Sequence, residues 1–297
     1  MNLSPKIEKI GTPKLVLGTA NFGMQYGIIK EKVLPEDISS LLSTAHANKI
    51  EFIDTASGYG SAEENIGRFV PKNSNFKIIT KLSINEDDDV SNVLSKFTNS
   101  LEKLNLEKTW AVLIHNFDVL LKENNKIVIQ SLLKIRDLKL AEHIGISIYT
   151  LDEVIQAKEL FPELKVFQVP GSICDTRMSD SNTLNEMSSS GNFFFVRSIF
   201  HQGLLTMNPD ELPIKLAIAK PLLKDFGRLC EINDMTPVEM CIAYGKSLSW
   251  AHGLVIGSNN RVQLMQIIEA YEKSTNVSFE KFPQFDEFLI DPRLWTN

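Results

Sequence analysis

Short apolar segments alternate with stretches of helical periodicity along most of this chain. The first apolar segment covers residues 14–20, and a helix is predicted to begin at Pro35, with acidic residues in its first turn. Its apolar residues recur three, four and seven positions apart, which is the spacing of one helix face. Further strands are predicted at 52–53, 76–80, 110–114, 143–147, 166–169, 193–199 and 254–256, and further helices at 61–69, 90–104, 126–138, 151–160, 181–189, 214–232, 237–248 and 261–271.

This alternation of strands and helices predicts a parallel sheet whose crossovers are the helices. Eight such units over about 250 residues are what a closed (β/α)8 TIM barrel requires. No polar, Pro-rich or Gly-rich linker divides them, so we predict an α/β protein with a single barrel domain over 1–297, its core at about 14–272 and a tail at 273–297 with few helix signals. A doubly wound open sheet is the rival, but the G-x-G-x-x-G that usually follows its first strand is absent.

Composition and charge narrow the class of protein. The 297 residues are 43% hydrophobic with a net charge of -6, which excludes a disordered chain and argues against a nucleic-acid binder. No apolar run reaches the roughly 18 to 20 residues of a membrane span, and the start of the chain lacks the apolar region of a signal peptide. The three cysteines are widely spaced, which favours reduced thiols over a disulfide framework or a metal site. We predict a cytoplasmic protein without a metal.

Four polar residues stand where predicted strands end. Asp54 ends the second strand with Tyr59 in the loop that follows, Lys81 ends the third strand and His115 ends the fourth. Active sites of parallel barrels lie at the carboxyl ends of the strands, so these side chains can converge on one pocket. A phenol has an ordinary pKa of about 10. A nearby ammonium lowers that pKa and a carboxylate holds the ammonium, so the tyrosine can donate a proton to a carbonyl oxygen as hydride reaches the carbon.

Each of these residues also has a plainer interpretation. Asp54 and Lys81 could form an ordinary salt bridge, His115 could be a structural hydrogen-bonding residue, and Tyr59 lies between two glycines and could be a turn residue. Their joint occurrence on three consecutive strands favours the catalytic interpretation.

At these residues the chain resembles the aldo-keto reductase superfamily. The resemblance runs from about residue 15 to residue 270 and depends on the order and spacing of its motifs together. The matching segments are Gly18-Thr19, Asp54-Thr55-Ala56, Tyr59-Gly60, 63–67, Ile79-Thr80-Lys81, Leu113-Ile114-His115-Asn116, Gly145-Ile146-Ser147, Gln168, Gln202-Gly203-Leu204-Leu205 and Val255-Ile256-Gly257-Ser258.

The resemblance implies an NADPH-dependent oxidoreductase that reduces an aldehyde or ketone to an alcohol, with NADH as a possible cofactor. Tyr59 would be the general acid, Lys81 would lower its pKa, Asp54 would pair with Lys81, and His115 would orient the substrate carbonyl. The cofactor would lie in an extended pose across the strand ends. Ser147 and Gln168 would hold the nicotinamide carboxamide, Ser198 and the backbone through Gln202 would face the pyrophosphate, and Gly257, Asn259 and Gln263 would line the adenosine half.

Several positions depart from the family pattern. Ile148 replaces an Asn, Ile267 replaces an Asn that contacts adenine, and Arg197 stands where an aromatic residue often stacks on the nicotinamide. Phe200 could supply that stacking, or the guanidinium plane of Arg197 could do so. Arg261 lies near the position of a basic residue that reads the 2′-phosphate of NADPH, slightly out of register.

The departures leave two other functions open. One is a catalytically weak nicotinamide-nucleotide-binding subunit or sensor on the same barrel, and the other is an isomerase or lyase barrel without nicotinamide. Specificity is expected in the strand-end loops and the tail, whose mixture of polar groups and aromatic residues such as Tyr26 suits a small polar carbonyl substrate, for example a sugar-derived one. Trp295 in the tail could reach the pocket. The sequence indicates no oligomeric state.

Overall fold

Eight parallel strands close into a barrel in which each strand pairs with the next in the chain and β8 pairs with β1. The computed structural model describes residues 11–123, 125–178, 182–273, 277 and 285–295. This confirms the predicted (β/α)8 barrel. The strands are β1 (Lys14–Gly18), β2 (Phe52–Asp54), β3 (Lys77–Leu82), β4 (Thr109–Ile114), β5 (Ala141–Ser147), β6 (Val166–Pro170), β7 (Phe193–Arg197) and β8 (Gly253–Ile256).

Helices surround the barrel and follow the predicted pattern closely. They are α1 (Ala20–Gly23), α2 (Pro35–Ala47), α3 (Ala62–Phe69), α4 (Val90–Leu104), α5 (Asn125–Asp137), α6 (Leu151–Leu160), α7 (Asn182–Ser189), α8 (Lys220–Ile232), α9 (Pro237–Ser247), α10 (Arg261–Glu272) and α11 (Glu287–Ile290). Reciprocal capping hydrogen bonds define the starts of three of them. The pairs are Asp89 with Asn92, Thr150 with Glu153, and Thr236 with Glu239.

Two layers of apolar side chains hold the barrel together. One layer lies between the strands and the helices, and a separate cluster contains Val16, Phe52, Ile79, Leu113 and Phe195 from five different strands. Side chains of a strand alternate between its two faces, so residues two positions further along share the face of this cluster. On β2, β3 and β7 those positions are Asp54, Lys81 and Arg197. The alternation therefore brings polar side chains to the carboxyl end of the barrel interior.

Several segments differ from the prediction. The first strand, predicted to reach residue 20, ends at Gly18, and the short helix α1, which was not predicted, begins at Ala20. The seventh strand ends at Arg197, two residues early, because Ser198 has a left-handed backbone (φ 67°). The predicted helix 214–232 divides into a 3-10 segment, Ile214–Ala219, and α8, because Pro221 has no N–H to continue the hydrogen-bond ladder. The described part of the tail also contains α11 and a 3-10 turn, Pro292–Trp295, which the sequence did not indicate.

Neither a membrane-spanning helix nor a cluster of metal ligands occurs in the part of the chain that the structure describes. No described helix combines the length and the apolarity that crossing a membrane requires. No group of three or more His, Cys, Asp or Glu residues in the described ranges could hold a metal ion.

Candidate active site

A buried ion pair lies at the carboxyl ends of β2 and β3. Lys81 Nζ is 2.6 Å from Asp54 Oδ1, and the two side chains are 1% and 5% exposed. Asp54 pairs with Ile79 in the sheet, and Lys81 lies two residues after Ile79 on the same face of β3. The side chains of Asp54 and Lys81 therefore enter the barrel from adjacent strands. Gln168 on β6 donates its amide Nε2 to the same carboxylate oxygen at 2.7 Å. Because two donors point at one oxygen, the carboxylate is held in a single orientation.

Tyr59 lies in a tight turn between β2 and α3 that packs against α1. Its backbone N–H donates to Ala56 O at 3.0 Å, and its carbonyl accepts from Ala62 N at 3.1 Å. The turn is so close to Gly23 that a Cβ on that glycine would lie 1.8 Å from Tyr59 O. Only glycine fits there, and this contact determines where the tyrosine sits.

The four predicted catalytic residues come together around the Tyr59 ring. Lys81 Nζ lies 5.2 Å from the ring centroid. The His115 ring meets the Tyr59 ring edge-on, with centroids 5.8 Å apart and an interplanar angle of 82°. Asp54 is bound to Lys81 behind the tyrosine. The predicted carboxylate, ammonium, phenol and imidazole therefore form one cluster.

Burial determines the charge states of this cluster. Desolvation lowers the pKa of the Lys81 ammonium, while Asp54 acts in the opposite direction. Desolvation, followed by the charge of Lys81, lowers the pKa of His115 to about 4, so its imidazole is neutral at pH 7.

The pKa of Tyr59 lies above its ordinary value, first through desolvation and then through the charge of Asp54. The sequence led us to expect the opposite direction, a pKa lowered by Lys81. The expectation is wrong for this arrangement because the Lys81 charge is compensated by Asp54 at 2.6 Å. The cation that does lower the pKa of Tyr59 is Arg197.

Arg197 contacts a tyrosine of its own chain. Its guanidinium carbon lies 4.2 Å from the centroid of the Tyr149 ring, and one guanidinium nitrogen donates to Ile148 O at 3.2 Å. The guanidinium of Arg197, which the sequence suggested could stack on the nicotinamide, thus stacks on Tyr149. Its orientation is fixed by the hydrogen bond to the backbone carbonyl of Ile148, the residue that replaces an Asn of the family pattern.

A groove of about 430 Å³ runs from this cluster across the strand ends to β8. Its volume lies within the range of about 300 to 1,000 Å³ that small-molecule sites occupy. Most of the predicted site residues line it, namely Asp54, Tyr59, Gln168, Arg197, Ser198, Phe200, Gln202, Gly257, Asn259 and Gln263. Among the described residues, four predicted ones lie outside the lining, namely Lys81, His115, Ser147 and Arg261.

Comparisons with known proteins agree with this geometry. A model of the Aldo/keto reductase family matches residues 14–290. This chain belongs to the aldo/keto reductase family.

Solved structures share its fold. One is PA4992 of Pseudomonas aeruginosa, described as an aldo-keto reductase, with 16% identity, a TM-score of 0.65, and coverage of 89% of this chain and 94% of that one. Another is the glycerol dehydrogenase AKR11B4 of Gluconobacter oxydans, with 19% identity, a TM-score of 0.68, and coverage of 91% and 92%. At these identities the likeness concerns the fold alone. The search of curated proteins found no match.

The donor set and shape of the groove suit an elongated dinucleotide in this aldo/keto reductase. The loop after β7 has left-handed backbone at Ser198, His201, Gln202 and Gly203. Turns of this kind can present backbone N–H groups to phosphate oxygens. In this loop the N–H groups of His201 and Gly203 donate internally, to Ser198 O and Phe200 O. Beyond it, Ser258, Asn259 and Gln263 bring polar side chains to the β8 end. The residues present therefore fit a nicotinamide dinucleotide, the class of cofactor that this family generally binds.

Contacts with the tail support the β7 loop. His201 is buried, its ring Nε2 is hydrogen-bonded to Leu289 O, and the ring lies against Phe285 and Trp295. Trp295 is buried in these contacts and does not line the groove of the described residues, so it does not reach the pocket. The tail thus shapes the site by packing under a loop of the groove.

The loop after β1, which the sequence placed among the specificity loops, also contacts the β7 and β8 loops, and these contacts were not predicted. Residues 24–33, which we call the β1 loop, extend over the groove. The N–H of Ile28 donates to Gln202 O at 3.3 Å, and Glu31 accepts a hydrogen bond from Asn259. Tyr26 of the same loop lines the groove together with Tyr59 and Arg197. The only signal in the sequence was a polar and aromatic loop after the first strand, which does not reveal what it contacts.

Proposed function

We propose that this aldo/keto reductase reduces an aldehyde or ketone to an alcohol by hydride transfer from a reduced nicotinamide dinucleotide. The observation that carries the proposal is the position of Tyr59, which lies at one end of the groove with the buried Lys81–Asp54 pair behind it and His115 against it. On the sequence the cofactor is NADPH, with NADH as the alternative.

The cofactor, when bound, supplies the hydride, and the residues around it manage the proton and the carbonyl. Burial keeps the Tyr59 hydroxyl protonated, since its pKa lies above the ordinary value. A protonated phenol can give its proton to the oxygen of a carbonyl as that oxygen gains negative charge. The neutral imidazole of His115 can donate an N–H hydrogen bond to the same oxygen, which orients and polarises the carbonyl.

The Asp54–Lys81 pair lies behind Tyr59 with nearly compensated charges. The ammonium is 5.2 Å from the ring centroid, and the hydrogen bond from Lys81 holds Asp54, whose charge alone would oppose formation of the phenolate. Arg197 adds a second positive charge that lowers the pKa of Tyr59. The net charge of this end of the groove favours the charge distribution of the transition state.

A polar substrate suits the mouth of the groove. Tyr26, Ile29 and Thr206 line it beside Tyr59, so hydroxyl groups and apolar surface are both available. We propose a small polar carbonyl compound, such as a sugar-derived aldehyde or ketone. The free, buried cysteines support a reduced, cytoplasmic setting for this reaction.

Turnover of a panel of aldehydes and ketones, followed by oxidation of NADPH or NADH, tests the proposal. Tyr59→Phe removes only the hydroxyl, and we expect it to lower kcat by about 10²- to 10⁴-fold, the usual contribution of a general acid. Binding of the reduced cofactor should change little. Full turnover by this variant would overturn the assignment.

One observation favours a second function. Arg197 stands where the family often has an aromatic residue that stacks on the nicotinamide, and its guanidinium is stacked on Tyr149 instead. Without that stacking, the protein would bind the dinucleotide but transfer hydride slowly. A single-turnover experiment with bound reduced cofactor and excess carbonyl compound decides between the two. Rapid oxidation of the cofactor supports the reductase, and binding without oxidation supports the sensor.

A further inference from the structure

One positive charge in the groove has no partner of opposite sign. Arg197 and Asp54 are the charged residues of the described lining, and Asp54 is paired with Lys81 at 2.6 Å. Among the described residues Arg197 forms no ion pair, and its hydrogen bond goes to the carbonyl of Ile148. We infer that Arg197 binds an anionic group of the substrate, so that the carbonyl compound carries a carboxylate or a phosphate ester. The inference rests on the proposed function and names the substrate class of the same site.

Two contacts hold the guanidinium of Arg197 and leave most of its donors unused. Its carbon Cζ lies 4.2 Å from the centroid of the Tyr149 ring, and one nitrogen donates to Ile148 O at 3.2 Å. A guanidinium presents several N–H donors in a planar fork. In the part of the chain that the structure describes, the hydrogen bond to Ile148 uses one of them. The others can bind two oxygens of a carboxylate or a phosphate together.

A cation in this position is costly without an anion. Arg197 is partly buried, and partial loss of water penalises a charged group that has no counter-charge. Arg177, after β6, shows the alternative, because it donates to both carboxylate oxygens of Asp175, at 2.7 and 2.8 Å. The chain thus neutralises that arginine internally and leaves the arginine of the groove for a ligand.

The charge of Arg197 lies at the catalytic end of the groove. Desolvation raises the pKa of Tyr26 to about 12, and the charge of Arg197 acts against it. In addition to desolvation, the same charge lowers the pKa of His115, and it opposes the raised pKa of Tyr59. In the proposed function the carbonyl meets the cofactor here, and the reduced nicotinamide ring is neutral. The substrate is therefore the molecule that can bring a negative charge to Arg197.

Tyr26 offers a second donor to the same anion. It lines the groove with Arg197. Its backbone N–H donates to Glu31 O at 3.1 Å, and Ile28 N–H donates to Gln202 O at 3.3 Å, so these bonds hold the β1 loop across the groove. A protonated phenol donates a hydrogen bond to an oxyanion without repelling it. The site would combine a guanidinium fork with one hydroxyl group.

Substrates that differ by one anionic group test the inference. We would compare 4-oxobutanoate with its methyl ester, and glyceraldehyde 3-phosphate with glyceraldehyde, using the same reduced dinucleotide. The aldehyde is the same within each pair. We expect kcat/KM for the anionic member of at least one pair to exceed that of the neutral member by about tenfold or more, mainly through KM. The pair with the larger ratio identifies the anion as a carboxylate or a phosphate. Ratios near one in both pairs would overturn the inference.

Replacement of Arg197 should act on this ratio. Arg197→Met should reduce it by about 10- to 100-fold, as expected for lost hydrogen bonds to a charged group. Arg197→Lys keeps the charge without the fork and should retain part of the preference. Effects on Tyr59 or on the cofactor act on both members of a pair and cancel in the ratio. A ratio that Arg197→Met leaves unchanged would overturn the inference, even if turnover falls.

Two further variants separate the groove from the general charge of the protein. Tyr26→Phe removes one hydroxyl group and should lower the ratio several-fold. Arg228→Met is the matched control, because it also removes an arginine, but one on α8 whose side chain is 72% exposed and paired with Asp225. It should leave the ratio unchanged. An equal decrease in Arg228→Met and Arg197→Met would assign the preference to the overall charge and overturn the inference.

An unreactive anion separates the failure of this inference from that of the proposed function. Succinate, titrated calorimetrically into the free protein and into its complex with reduced dinucleotide, should bind, and Arg197→Met should abolish this binding. Binding of succinate through Arg197, without reduction of any carbonyl compound, would overturn the proposed function and keep the anion site. Equal reduction of both members of each pair would overturn the anion site and keep the reductase.

Discussion

Lys81 and Asp54 face each other across adjacent strands at 2.6 Å, and both side chains are almost completely buried. An ion pair in this position costs desolvation energy that its mutual attraction repays only partly. The pair is therefore better explained by chemistry at Tyr59 than by stability. It places a positive charge behind a phenol and leaves the surroundings of that phenol close to neutral.

Loss of one partner of this pair should be far more harmful than loss of both charges. Lys81→Met leaves a buried, uncompensated carboxylate, and we expect a loss of about 3 to 5 kcal/mol in the free energy of unfolding. The double variant Lys81→Met with Asp54→Asn removes both charges and should recover much of that loss. Urea denaturation of the three proteins measures the difference. A double variant less stable than Lys81→Met would contradict the explanation.

Stability should decrease as the pH falls from about 6.5 towards 4. Burial lowers the pKa of both His115 and His252 to about 4, whereas the pKa in an unfolded chain is about 6.5. Between these values the unfolded chain binds more protons, so acid favours unfolding, by up to about 1.4 kcal/mol per pH unit for each histidine.

Thermal denaturation between pH 7 and pH 4.5 measures this dependence. The pKa values of His143 and His201 are lowered as well, so they add to the slope. His115→Gln and His252→Gln should each flatten it, while the same change at the exposed His46 serves as the control. An unchanged slope in both variants would contradict the assignment.

Arg197 should favour the reduced cofactor over the oxidised one. The positive charge of Arg197 lowers the pKa values of Tyr59, Lys81 and His115. In the proposed function the nicotinamide lies beside Tyr59, so the same charge acts on it. The oxidised ring is positive and the reduced ring is neutral, so a nearby guanidinium repels only the former. We expect Arg197→Met to narrow the ratio of the two dissociation constants several-fold, and Arg197→Lys to retain it. Equal ratios in all three proteins would count against this role.

A methyl group at Gly23 should disturb the active site. The added Cβ would lie 1.8 Å from Tyr59 O and 2.3 Å from Ala62 N, both backbone atoms that cannot move aside cheaply. We expect Gly23→Ala to lower kcat and to destabilise the fold. Gly227→Ala in α8 is the matched control, because its Cβ would meet nothing within 4 Å. It should raise stability by about 0.5 to 1 kcal/mol. Comparable kcat values for both variants would show that the close contact between Gly23 and the Tyr59 turn does not determine the position of the tyrosine.

The architecture of this protein is largely a matter of local pattern. The bounds of α4 and α6 match the prediction because Asp89 and Thr150 form capping boxes with residues three positions later, a signal contained in the sequence. Asp54, Tyr59, Lys81 and His115 were predictable for a related reason. Parallel strands end on one side of a barrel, and alternation along each strand decides which side chains face inward.

Contacts between distant segments decided the rest. The sequence indicated that Arg197 lies at the site, but its orientation depends on Tyr149 and on a carbonyl 49 positions away. The pKa of Tyr59 follows from burial and from the compensation of Lys81 by Asp54, neither of which a motif describes. Glu31 and Trp295 have no local signal for the positions they occupy. Local periodicity determines which face of an element a residue takes, whereas the partner it meets, and hence its charge state, depends on how elements far apart in the chain pack together.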